Sequence, residues 1–228
     1  MQQYFVDHEL RSDDTIALDE EILYHLVKVL RKDDSYIFRL CDSNQNIYHA
    51  HLSGKKNCII LEKLDENNEL DCQITCILSL IKSDKFELSI QKLVELGVTR
   101  IVPYEAKRSI MKIKDLKKMV RLRKIVREAA EQSHRNFIPE LCDPIGFKEL
   151  KDYMSETNYI CYESEHNIAD IPRSSSVSYI IGPEGGFEDE EYRNICELGF
   201  TSISLGKRIL RAETAALYMT SIIVGKHQ

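Results

Sequence analysis

Apolar residues recur in two rhythms along this chain, and the change comes near residue 71. In "LDEEILYHLVKVLR" (18–31), Ile22, Leu23, Leu26, Val29 and Leu30 fall near helical spacing, which predicts an amphipathic helix. Three short runs follow, "SYIFRL" (35–40), "NIYHAHL" (46–52) and "NCIILEKL" (57–64), with "DSNQN" and "SGKKN" between them. β-Formers bounded by turn formers predict strands, here a small antiparallel sheet or barrel. The polar, acidic "LDENNELD" (64–71) marks the boundary, giving domains of 1–71 and 72–228.

Beyond residue 71, strands and helices alternate. "CQITCILSL" is a strand, and "SDKFELSIQKLVEL" is a helix begun at Ser83 or Asp84 and stopped at Gly97. "VTRIVP" is the next strand, and a basic helix then runs to about His134. Further strands are expected at 158–163, 176–182 and "TSISL", with helices at 189–198 and from about Ala212. "ELGVTRIVP" and "ELGFTSISL" repeat one local pattern, a helix end, a Gly and a strand. Such alternation predicts an α/β fold with a mostly parallel sheet covered by helices.

Two strand-to-helix loops carry unusual chemistry. "IIGPEGGFEDEE" (180–191) sets two adjacent glycines after Pro-Glu in a chain with only nine glycines. It follows a buried-type strand, so it lies at a carboxyl end, where open α/β sheets bind ligands. Adjacent glycines would let a ligand approach the backbone closely, although a tight loop needs glycine too. The G-x-G-x-x-G fingerprint and the P-loop G-K-[ST] are both absent. Three acids opening the next helix disfavour a phosphate, so a neutral or zwitterionic ligand fits better. The second loop, "SLGKRILRAETAALYM" (204–219), sets Ile209 and Leu210 among Lys207, Arg208 and Arg211. That mixture reads either as helix-surface charge or as a pocket with apolar walls and a cationic rim.

Net charge changes the picture by its distribution. The chain carries −6 overall, yet residues 107–127 hold ten Lys or Arg against Asp115 alone, so this stretch is +9 and the remainder −15. A localised basic face in an acidic protein suits phosphate backbones, though a charge run can equally be a solvated helix face. A hydrophobic content of 43% fits a globular chain. No apolar stretch approaches the ~20 residues of a bilayer span, and "MQQYFVDHEL" lacks a signal pattern, so the expected location is cytoplasmic. Seven cysteines make an odd number for a disulfide framework and fit a reducing compartment. Cys72 and Cys76, four apart on a strand, are too distant to share a metal; His49 and His51 share a strand face without a further ligand nearby, so no metal site is expected.

"IIGPEGGF…E" followed by "LGKRILRAETA" resembles the bacterial 16S ribosomal RNA (uracil-N3)-methyltransferase family, RsmE, of the SPOUT superfamily. "YHLVKVLR", "KSDKFELSIQKLVELGVTRIVP", "KRS" and "REAAEQSHRNFIPE" agree in the same order, so the resemblance spans nearly the whole chain. It implies a PUA-like RNA-binding β-barrel at 1–71 and a trefoil-knotted SPOUT domain at 72–228, as a homodimer that binds S-adenosyl-L-methionine in the knot. The implied cofactor cradle is Ile181, Gly182, Glu184, Gly185 and Gly186 with Leu205, Gly206, Ile209, Leu210, Arg211 and Thr214. The implied substrate is a uridine N3 in 16S rRNA, within the small ribosomal subunit.

Uracil N3 carries a proton at neutral pH, so catalysis must remove it or stabilise the anion. Arg108, Arg135 and Arg211 suit the second task, and Glu184 or Glu213 the first. Arg31, Arg108, Gln132, Ser133 and Arg135 stand where the resemblance implies RNA contacts. The chain departs from the family pattern in reading Gln2-Gln3-Tyr4 where an Arg is common, and in replacing the barrel's GD and DG turns with Asp33-Asp34 and Asp42-Ser43. The rival readings are a SPOUT enzyme acting on another base or a ribose, and a non-catalytic RNA-binding or ribosome-assembly protein. The missing dinucleotide fingerprint disfavours an oxidoreductase.

Overall fold

The computed structural model describes residues 1–54, 56–113, 115–163 and 171–227, so Lys55 of the expected "SGKKN" turn and Lys114 of the basic run lie outside the described residues. The chain forms two compact units, one of Met1–Glu69 with Ala130–Phe137, the other of Leu70–Ala129 with Ile138–Gln228.

The first unit is built on a five-stranded sheet. Its strands are β1 (Gln3–Phe5), β2 (Thr15–Ala17), β3 (Ile37–Cys41), β4 (Ile47–Ser53) and β5 (Asn57–Leu64), in the order β1-β3-β4-β5-β2. The pairings are antiparallel except for β1 with β3, which is parallel, so the sheet is mixed rather than purely antiparallel. β1 and β2 were not legible in the sequence, because three-residue strands are too short to display a period of two.

The helix expected over 18–31 is α1 (Glu20–Leu23) continued by a π-helical turn, Tyr24–Val29. The wider turn closes with the Leu30 amide donating to the His25 carbonyl at 2.9 Å. With that extra residue, Ile22, Leu26 and Leu30 face the core at intervals of four, and Val29 swings outward to 54% exposure. Phe38, Leu40, Ala50, Leu52 and Ile60 complete this core.

The second unit holds a six-stranded sheet in which every pairing is parallel. Its strands are β6 (Gln73–Ser79), β7 (Arg100–Tyr104), β8 (Glu140–Leu141), β9 (Thr157–Cys161), β10 (Ser176–Ile181) and β11 (Thr201–Ile203), in the order β11-β9-β10-β6-β7-β8. Six consecutive buried residues in β6 and five in β10 mark central strands covered on both faces. The helices are α2 (Ser83–Glu95), α3 (Leu116–Gln132), a 3₁₀ segment at Phe147–Tyr153, α4 (Asp189–Glu197) and α5 (Ala212–Val224). No described helix is long and apolar enough to cross a membrane.

The repeated "ELG" pattern has a structural cause. At the end of α2, Gly97 at φ +99° donates its N–H to the Val94 carbonyl, and Val98 donates to Leu93. At the end of α4, Gly199 at φ +111° and Phe200 make the equivalent bonds to Cys196 and Ile195. Each is a Schellman cap, where only glycine accepts the left-handed conformation cheaply, and each delivers the chain into a parallel strand. α3 begins later than the basic run, so Lys107 and Arg108 lie in the loop after β7 instead of on a helix.

Candidate functional site

β10 and β6 are neighbours at the centre of the second sheet, with β9 and β11 on one side and β7 and β8 on the other. Beyond the carboxyl ends of β9, β10 and β11 lies a cavity of about 680 Å³, a volume suited to a nucleoside-sized ligand. Ile181, Gly182, Pro183, Glu184, Gly186 and Phe187 form one wall; Ser204, Leu205, Gly206 and Arg208 through Glu213 form another. Of the cofactor residues expected from sequence, Ile181, Gly182, Glu184, Gly186, Leu205, Gly206, Ile209, Leu210 and Arg211 are brought together here. Gly185 and Thr214 are not on the wall: Gly185 turns towards Arg108, and Thr214 is exposed in the first turn of α5.

The three glycines of "GPEGG" differ in what holds them there. A Cβ at Gly182 would come 2.9 Å from Cε2 of the buried Phe187 ring, so that residue makes room for the protein's own core. Gly186 sits at φ +67°, where its N–H donates to the Pro183 carbonyl at 2.9 Å and closes the turn. A Cβ on Gly185 would make only ordinary contact with the Arg108 side chain. Packing accounts for Gly182 and the turn for Gly186, whereas no contact among the described residues requires a glycine at 185. The backbone is nevertheless bare along one cavity wall, with Ile181, Leu205 and Leu210 beside it.

The titratable groups sort by their engagement. Glu184 is exposed, and its Oε1 accepts the Lys82 N–H at 3.0 Å. α2 begins at Ser83, as expected, and because the N-cap residue Lys82 makes no side-chain cap, Glu184 serves the helix start from outside. Glu213, 14% exposed, stands 4.0 Å from Lys85 Nζ. Arg211, at the N-cap position of α5, and Arg208 are exposed at the cavity edge, and Ile209 beside them is 84% exposed. Arg108 Nη1 donates to the Gly185 carbonyl at 3.0 Å, which sets that guanidinium against the glycine loop. Sequence reasoning missed Cys161, which ends β9, Tyr162 and Glu163 just after it, and Lys82, Asp84 and Lys85 at the start of α2. Their common signal is position after a parallel strand's carboxyl end, but which strand ends share one site depends on the strand order. Cys161 has its thiol pKa raised by burial, so it stays protonated at neutral pH.

Arg135 does not behave as an exposed RNA contact. It is 3% exposed, pairs with Glu69 at 2.7 Å and stacks over Phe137. The carbonyl of Arg135 accepts from Gln3 Nε2, and the neighbouring Asn136 bonds Glu69, Gln45 and Glu66. Arg135 and Asn136 thus form a buried polar clasp within the first unit, where desolvation demands that a charge be paired. Gln132 is exposed and Ser133 half-buried; Arg31, also exposed, adopts φ +53° just after the π-helical turn. No group of three metal-ligating side chains occurs among the described residues, and all seven cysteines are free.

Comparison with known proteins agrees with this geometry. The RNA methyltransferase domain family matches residues 68–224. Ribosomal RNA small subunit methyltransferase E of Bacillus subtilis is 32% identical, with 98% of this chain and 96% of the relative aligned. The Mesomycoplasma hyopneumoniae protein of the same name is 36% identical over 96% and 97% of the two chains. The crystal structure of the Neisseria gonorrhoeae enzyme of that name, bound to S-adenosyl methionine, superposes with a TM-score of 0.90 at 32% identity, covering 98% of this chain and 96% of that one. A methyltransferase from Legionella pneumophila in complex with the same cofactor gives 0.90 at 31% identity, with the same coverage. On these grounds the chain belongs to the ribosomal RNA small subunit methyltransferase E family of RNA methyltransferases.

Proposed function

We propose that this protein transfers a methyl group from S-adenosylmethionine to N3 of a uridine in 16S rRNA. The observation that carries the reading is the cavity at the carboxyl ends of β9, β10 and β11, walled by the "GPEGG" and "LGKRILRAE" loops. Its residues fit the cofactor: Ile181, Leu205 and Leu210 suit an adenosine, the Gly182 backbone offers hydrogen bonds, and Asp84 with Lys85 suits a zwitterionic amino acid end. When bound, S-adenosylmethionine supplies a methyl group activated on a sulfonium.

The protein's own task is to present the uracil and to deal with its N3 proton. Arg211 and Arg108 are assigned to stabilising the uracil anion, because cations aimed at developing charge lower the barrier in a partly dry site. Glu184, bonded to the Lys82 N–H, is read as orienting the start of α2, and Glu213 as the acceptor of the N3 proton. Exposed Ile209 between Arg208 and Arg211 offers an apolar surface for the base. The cationic face of α3 and the exposed Arg31 and Gln132 are read as RNA contacts, the first unit as a PUA-like RNA-binding module and the second as a knotted SPOUT domain. The knot reading is supported by the placement of β11 beside β9 and by α5 packing on β6 and β10. A homodimer working on small ribosomal subunits in the cytoplasm completes the proposal.

The test is methyl transfer from labelled S-adenosylmethionine to small subunits from a strain lacking this modification, mapped by nuclease digestion and mass spectrometry. Label at uracil N3 in 16S rRNA is expected, and Arg211→Ala should lower kcat about 100-fold, the scale of losing one transition-state donor. Label on another base or a ribose would assign a different RNA target, and cofactor binding without turnover would favour a binding protein.

A further inference from the structure

Glu191, in the first turn of α4, is one of the few carboxylates buried in this protein, at 4% exposure. Its Oε1 accepts the Tyr104 hydroxyl at 2.7 Å and the Lys107 backbone N–H at 3.1 Å. Its Oε2 is buried with no hydrogen-bond partner among the described residues. A buried charge with one oxygen unmatched is costly, so fold stability alone is a poor reason to keep it there. What it holds is the loop after β7. Lys107 Nζ is further drawn to Glu190 at 2.9 Å and Glu188 at 3.6 Å, and the next residue, Arg108, reaches the Gly185 carbonyl at 3.0 Å. Two residues on, Ile110 is 79% exposed and borders the cavity.

Resting on the reading above, we infer that Glu191 is the positioning residue of the site: by docking residues 105–110 onto α4, it sets the Arg108 guanidinium against the glycine loop. Glu191 touches neither cofactor nor uracil in this scheme. It acts through Arg108, and that makes a specific pattern of coupling. The two surface pairs of Lys107 cannot substitute, because exposed ion pairs restrain little, whereas the buried bonds to Tyr104 and Lys107 fix the backbone.

A double-mutant cycle on methyl transfer tests this, with Glu191→Ala, Arg108→Ala and both together. Each single variant should lower kcat/KM about 30-fold, and the double variant should fall no more than about twofold below the worse single. Losses that multiply would mean that Glu191 does not act through Arg108, and would overturn the inference. Glu191→Gln keeps the acceptor for Tyr104 and Lys107, and should recover most of the loss. Glu191→Met, similar in volume but unable to accept, takes the place of alanine should that variant fail to fold.

Hydrogen exchange supplies a readout independent of turnover. Amides 105–110 should exchange about tenfold faster in Glu191→Met than in wild type, with the rest of the second unit unchanged. Unaltered exchange there would overturn the docking role whatever the activity shows. A wild-type protein that transfers no methyl group would instead count against the proposed function, and the exchange result would still decide the docking.

Discussion

A methyl group added at Gly182 would meet the Phe187 ring at 2.9 to 3.3 Å, and that ring is only 4% exposed and cannot retreat. Gly182→Ala is therefore expected to destabilise the protein by about 1–3 kcal/mol, the cost of overpacking a filled core. Gly185→Ala, whose Cβ would find only ordinary contacts at 3.6 and 3.7 Å, should leave stability nearly unchanged. Denaturant midpoints of the two variants check the contrast; equal losses would show that the loop is constrained by something other than Phe187. At this scale a motif that reads as one unit in sequence separates into a packing glycine, a turn glycine and a permissive one. Only the folded structure distinguishes them, because it sets the Phe187 ring against Gly182, turns Gly186 to a positive φ and leaves space beside Gly185.

At the scale of elements, α3 and the segment that follows show how a charge run divides its labour. Arg121 pairs with Glu87 and Arg123 with Asp143, so part of the +9 stretch is neutralised by acids elsewhere in the same unit. Arg135 has left the surface altogether. Removing one partner of a buried ion pair strands the other, and Arg135→Ala should cost about 3–5 kcal/mol, read from denaturant unfolding. A variant as stable as wild type but weakened in RNA binding would return Arg135 to the RNA track. The fold of α2, β6, β10 and α4 was legible because periodicity and glycine stops act within a dozen residues. The π-helical turn was not, since the choice between α and π windings rests on which residues the core accepts.

The whole molecule carries its titration in two sets. Asp71 is held below its ordinary range by hydrogen bonding from His227 and then Arg173, Glu140 by Arg100, Glu156 by Ser175 and Ser174, and Glu190 by Lys107. A lowered carboxylate stabilises the fold fully above its unfolded value, and that contribution disappears as acid protonates it. Burial pushes the thiols of Cys41, Cys58 and Cys76 up to about 12, and raises the Tyr104 and Tyr179 hydroxyls. Those groups stabilise the fold while neutral, and their contribution is lost as pH rises beyond the unfolded thiol value of 9.0. Stability should thus be level between about pH 5 and pH 8 and decline on both sides, more steeply on the alkaline side, where the groups are buried. Unfolding curves from pH 3 to pH 10 measure this; a maximum displaced to pH 4 would contradict it.

By itself the sequence determined the alternation of strands and helices after residue 71, the two Schellman stops and the two loops that wall the cavity. These follow from local rules of periodicity, capping and strand-end position. Tertiary structure alone decided that Lys82, Lys85, Tyr162 and Glu163 join those loops, that Arg135 is buried while Arg211 is exposed, and that Glu191 reaches Tyr104. Sequence separation is the reason. Strand order brings β9, β10 and β11 side by side and aligns their carboxyl ends, and burial follows from what packs above, which no local pattern encodes.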